Sequence, residues 1–189
     1  MQILMGEAPW DLECERKAYT YMLKKGVRMG ENDWMITDDV EGRTLKECLE
    51  YVREQMVRKW QERWDSSEKG RVTYGYIKNV KFVSENKWFS FGLNAGLLLI
   101  GHGSMNGWLY DRGLNDSARC RCGAEREDWL HVLTECDRYE DLRDLERMGI
   151  RLNADGSVNV EGVMNEREYK YFRDFSEAAF GRRRMENVV

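Results

Sequence analysis

Apolar positions recur in three- and four-residue steps over most of the chain, a spacing that predicts a mainly α-helical fold. The clearest case is 44–66, where Leu45, Cys48, Leu49, Val52, Met56, Trp60 and Trp64 fall on one stripe of a helix. Thr44-Leu45-Lys46-Glu47 supplies a capping box at its start. Cys48 sits within the stripe and reads as core. A helix is predicted over 10–25: Pro9 stands near its start, Asp11, Glu13 and Glu15 crowd the first turn, and Lys24 and Lys25 precede a terminating Gly26. Residues 85–100 read as helical and apolar through Trp88, Phe89, Phe91, Leu93, Leu97, Leu98 and Leu99. A short helix follows over 104–113 with Met105, Trp108 and Leu109 inward. Amphipathic patterns over 137–148 (Tyr139, Leu142, Leu145, Met148) and 165–183 (Tyr169, Phe172, Phe175, Ala179, Phe180) predict two more. Residues 71–76 alternate weakly and read as extended.

The breaks fit this scheme. Gly101-His102-Gly103 and Asn153-Ala154-Asp155-Gly156-Ser157 are turn signals. Residues 28–43 read as an acidic loop. Its Asp38-Asp39 pair has the local look of a polymerase metal site, but the flanking strands and third carboxylate that such a site needs are missing from the pattern. A solvated loop accounts for it better.

One stretch carries distinct chemistry. Cys120, Cys122, His131 and Cys136 have the spacing C-x-C-x8-H-x4-C, and thiolate and imidazole are the ligands that Zn²⁺ prefers in closed four-coordinate sites. Gly123 directly follows the second cysteine, where the chain must turn sharply. Residues 129–133 read as a helical turn that returns His131 toward the cysteine pair. Between two glycines, His102 reads better as a helix-end residue than as a further ligand.

Composition narrows the possibilities. The 189 residues carry a formal charge of −4, whereas freestanding nucleic-acid binders are usually basic. Only 51–87 is basic, with 9 cationic and 5 anionic side chains, so any phosphate contact must come from a local patch. The candidates are Arg53, Arg58, Lys59, Arg63, Lys69, Arg71, Lys78 and Lys81, together with Arg121 inside the cysteine cluster. Arg182-Arg183-Arg184 either complements a helix C-terminus or touches phosphate. An odd count of 5 cysteines without a leader pattern points to a reducing compartment, nucleus or cytoplasm. No apolar run is long enough to span a membrane. Phosphate-loop, nucleophile-elbow and metalloprotease motifs are missing from the sequence, so an independent enzyme has little support.

In order, Trp60-Gln61-Glu62-Arg63-Trp64-Asp65, Lys69-Gly70-Arg71, Thr73, Leu99-Ile100-Gly101-His102-Gly103, Asn106, Leu109, Leu114, Ser117 and the Cys/His cluster resemble a region of arthropod non-LTR (LINE-type) retrotransposon polyproteins. Gly6-Glu7-Ala8-Pro9-Trp10-Asp11-Leu12 resembles the segment just after the reverse-transcriptase thumb. The resemblance implies a region C-terminal to a polymerase core, in a parent that is an RNA-directed DNA polymerase, with no catalytic residues of its own.

The expected fold is an irregular helical domain with an embedded CCHC zinc knuckle. The expected organisation is a post-thumb helix and acidic loop (1–43), a helical linker region (44–117), the knuckle and following helix (118–148), and a C-terminal turn and helix (149–189). The expected role is binding of template RNA or target DNA beside the upstream polymerase core. The alternative is a structural or protein-interaction module that docks on that core or on a host protein.

Overall fold

Helices carry the chain. In the computed structural model, which describes residues 2–26 and 42–186, they are α1 (Gln2–Met5), α2 (Trp10–Lys25), α3 (Leu45–Ser66), α4 (Arg71–Tyr76), α5 (Phe82–Glu85), α6 (Leu93–Ile100), α7 (Asn106–Tyr110), α8 (Trp129–Thr134) and α9 (Glu166–Glu186). Two two-residue strands, β1 (Arg151–Leu152) and β2 (Val158–Asn159), pair antiparallel, with Arg151 opposite Asn159 and Leu152 opposite Val158. The Asp38-Asp39 pair lies outside the described residues. The chain divides into two compact units, one from 1–68 and 78–86, the other from 69–77 and 87–189.

In the first unit α2 packs on α3. The capping box forms: the Thr44 hydroxyl accepts from the Glu47 amide, and the Glu47 carboxylate accepts from the Thr44 amide at 2.7 Å. Cys48, Val52, Met56 and Trp60 are buried, as the stripe requires, but Leu45 in the first turn is 48% exposed. Gly26 ends α2 in the left-handed region at φ +66°, where its amide satisfies carbonyls of the last turn. Gln61 ties α3 to the segment before α5, donating to the Lys78 carbonyl and accepting from the Val80 amide.

The second unit is built around α9. Tyr169, Phe172, Phe175, Ser176, Ala179, Phe180 and Arg183 form its buried face. Three sequence expectations fail here, each for a tertiary reason. Residues 71–76 are helical rather than extended: Thr73, Tyr76 and Ile77 are buried at helical spacing, and the Tyr76 ring lies 6.0 Å from Trp129 and 5.7 Å from Phe172. The predicted helix over 85–100 begins only at Leu93. The aromatic run before it is irregular because Trp88 and Phe89 pack at a tilt against Tyr169, whose hydroxyl donates to the Ser90 carbonyl at 3.1 Å. The helix expected over 137–148 is a 3-10 segment, Asp137–Leu142, followed by turns. Arg143 stops it by swinging back to donate to the carbonyls of Leu133 at 3.0 Å and Cys136 at 2.6 Å. The β1–β2 hairpin carries the turn that the sequence announces at 153–157. Its base closes on Gly149, at φ +69°, where a Cβ would come within 2.6 Å of the Gly162 carbonyl group.

Candidate metal centre

Local hydrogen bonds shape the cysteine loop before any metal is considered. The Gly123 amide donates to the Cys120 carbonyl at 3.0 Å, and the Cys120 amide donates to Ala124 at 2.9 Å. Gly123 takes φ +103°, a value that L side chains rarely adopt, so glycine is required at the turn. On the far side, Asp128 caps α8 by accepting from the His131 amide at 2.9 Å. This sets His131 on the turn that faces the loop, and Cys136 follows as the chain leaves α8.

The four side chains converge. One ligand atom from each of Cys120, Cys122, His131 and Cys136 lies within 4.8 Å of the others. The sulfurs of Cys120 and Cys136 are 3.6 Å apart, and Cys122 Sγ is 3.3 Å from His131 Nε2. Around a tetrahedral zinc with bonds of about 2.3 Å to sulfur and about 2.0 Å to nitrogen, these edges would be about 3.8 and 3.5 Å. The residues therefore fit a metal ion, and this cluster could hold one.

Burial and backbone amides pull the three thiols in opposite directions. Burial pushes the Cys136 thiol up to about 12, and it raises Cys120 as well. Opposing that, the amides of Cys122, Ala124 and Arg138 donate to the sulfurs of Cys120, Cys122 and Cys136, each favouring the ionised form. At the half-buried Cys122 burial also raises the thiol, but the Ala124 amide and the neighbouring thiols outweigh it, and the net direction is downward. Buried thiols ringed by amide donors are costly to ionise alone and are stabilised once a cation shares the site. His131 turns Nδ1 toward Glu135 at 3.6 Å, which leaves Nε2 for the centre.

A second layer of charge, which no local pattern announces, holds the loop to α9. Glu127, wholly buried, accepts from Arg183 and from the Asn106 amide at 2.9 Å, with Arg138 at 3.6 Å. Arg138 also pairs with Glu186, and Arg121 donates to the Glu186 carbonyl at 3.0 Å. Arg182 makes a two-pronged contact with Asp141 at 2.7 Å, and Arg184 donates to Asn94 at 3.1 Å. The terminal arginine triplet is thus occupied within the unit. Among the described residues, His102 stands apart from the cluster with its ring against Trp108.

The candidate phosphate contacts divide between the units. In the first, Arg63 pairs with Asp11 at 2.5 Å, Lys59 with Glu15 at 3.5 Å, and Arg58 with Glu62 at 3.9 Å, while Arg53 and Lys81 are exposed. Lys78, also of this unit, is exposed. In the second, Arg71 lies over the Tyr74 ring at 3.7 Å, Lys69 is exposed, and Arg121 sits beside Glu186. Exposed pairs of this kind are worth at most about 1 kcal/mol.

The chain is 44% identical over 97% of its length to a "Retrovirus-related Pol polyprotein from type-1 retrotransposable element R1" of Bradysia coprophila, and covers 18% of that protein. It is 44% identical over 88% of its length to the corresponding R1 3 polyprotein of Nasonia vitripennis, covering 43% of it. It is 37% identical over 97% of its length to a "Putative 115 kDa protein in type-1 retrotransposable element R1DM" of Drosophila melanogaster. The chain belongs with the arthropod R1 non-LTR retrotransposon Pol polyproteins, as a homologue of part of them. It spans less than half the length of each of these relatives. No family model matches the chain, and no solved structure does. No helix among the described residues is long and apolar enough to cross a membrane.

Proposed function

We propose that this chain is a non-catalytic, nucleic-acid-binding region lying C-terminal to the polymerase core of a retrotransposon reverse transcriptase, and that it helps to seat template RNA or target DNA during target-primed reverse transcription. The convergence of Cys120, Cys122, His131 and Cys136 carries this reading. These residues would hold Zn²⁺ through three thiolates and the His131 Nε2. The metal's contribution is structural: four protein ligands leave no open position for a substrate. The homology to R1 Pol polyproteins supports the setting, and the exposed cations of α3 supply the phosphate contacts.

A second reading has an observation of its own. Arg63 and Lys59 are already paired with acids of α2, and the chain carries a net −4, which favours a module that docks on the polymerase core or a host protein. Binding of the zinc-loaded chain to duplex DNA and to structured RNA across a salt series separates the two. Affinity that falls steeply with salt is expected, because phosphate contacts release counterions. No detectable affinity, together with a stable complex with the polymerase core in gel filtration, supports the docking module instead.

A further inference from the structure

Gly101-His102-Gly103 takes no part in the cysteine cluster, yet it is a tightly specified loop. Gly101 and Gly103 hold φ +66° and +115°. A Cβ on Gly101 would come within 2.9 Å of Val72, and one on Gly103 within 2.8 Å of Leu97. Backbone conformation and space both demand glycine on either side of His102, and the His102 amide is pinned to the Leu97 carbonyl at 3.1 Å. A loop constrained in this way holds one side chain in a set place.

That side chain belongs to a stack. The exposed His102 ring lies 5.5 Å from the ring of Trp108, at 44°. The exposed Arg112 guanidinium lies over the same indole, 3.9 Å from its centroid. Trp108 itself is half-buried on α7 and forms a fixed floor. Arg112 is in no salt bridge among the described residues, and the adjacent Asp111 is bonded to Arg126 at 2.5 Å. A fixed indole topped by a planar cation and an imidazole, both open to solvent, offers a π-surface and a phosphate donor side by side. Single-stranded nucleic acid presents both complements, an exposed base face and a backbone phosphate, whereas paired bases keep their faces covered.

We propose that His102, Trp108 and Arg112 form a stacking site for an unpaired base of single-stranded nucleic acid. The proposal rests on the nucleic-acid-binding reading and adds the form of ligand and the residues that take it. The test uses the full zinc-loaded chain and fluorescence anisotropy with oligo-rU, oligo-dT, an abasic strand of the same length and charge, and a duplex. The wild-type chain is expected to bind a base-bearing strand at least about fivefold tighter than the abasic strand, since stacking is the term that the abasic strand lacks. Arg112→Ala and His102→Ala should each erase most of that preference. Arg112→Lys should keep the salt dependence but lose the preference, because an ammonium preserves charge without a stacking plane. Both positions are exposed, and unchanged thermal melts would establish that the variants fold. The rU and dT arms tell whether RNA or DNA is preferred. Salt-dependent binding that ignores the bases, or a preference that survives Arg112→Ala, overturns the stacking site and leaves the broader reading intact. No binding to any of the four probes overturns both.

Discussion

Glu127 is the residue whose surroundings say most about how the cysteine loop is held. A carboxylate with no solvent contact is tolerable only when fully paired, and Arg183, Arg138 and the Asn106 amide do this. Removing one partner strands the others. Arg183→Ala should therefore destabilise the second unit by about 3–5 kcal/mol, whereas joint replacement of Glu127 and Arg183 by apolar residues should cost clearly less. Chemical denaturation of the single and double variants checks this; equal losses would mean that the pair is not the reason for the cost. His131→Ala acts differently. It removes one ligand and should make 119–136 sensitive to protease while α3 stays folded; a loop that remains resistant would show that packing and the Glu127 network suffice without metal. Proton competition gives a third residue-scale expectation. Burial pushes the Cys136 thiol up to about 12, so a metal must displace a proton from that sulfur to bind. Affinity should rise with pH and fall on acidification, as a chelator competition at two pH values would reveal; pH-independent affinity would exclude thiolate ligation.

At the scale of elements, α3 is the helix that the sequence specifies most fully. Its cap and length are as expected, its stripe is buried at Cys48, Val52, Met56 and Trp60, and Trp60 is 7% exposed. Trp60→Ala should cost about 3–5 kcal/mol, while Lys59→Ala, which loses one surface pair, should stay within about 1 kcal/mol. Thermal melts that place the two variants together would mean the faces are misassigned. α9 was legible for the same reason, a long period of apolar residues, and α2 from the proline, charges and glycine at its ends. The failures share a cause too. Tyr76, Trp88, Phe89 and Arg143 take their conformations from partners distant in sequence, namely Trp129, Phe172, Tyr169 and the carbonyls that end α8, and no local pattern encodes those partners. The four metal-ligand candidates were legible from residue type and spacing alone. Glu127 and Arg183 were not, since an acid in a polar loop and an arginine in a basic run look solvated until the fold brings them together.

For the molecule as a whole, charge and metal are the two quantities that decide the account. A chain at −4 can bind phosphate only through local cations. Changing Arg58, Lys59 and Arg63 together to Gln should weaken binding to unrelated sequences alike and flatten its salt dependence; a loss confined to one sequence would mean that this face reads bases. The central claim, that Cys120, Cys122, His131 and Cys136 hold one structural zinc, is tested most directly by metal analysis of the purified chain combined with thiol titration. One equivalent of zinc is expected, with Cys120, Cys122 and Cys136 protected from a thiol reagent until a chelator is added. Zinc far below one equivalent, with all three thiols freely reactive from the start, would contradict it.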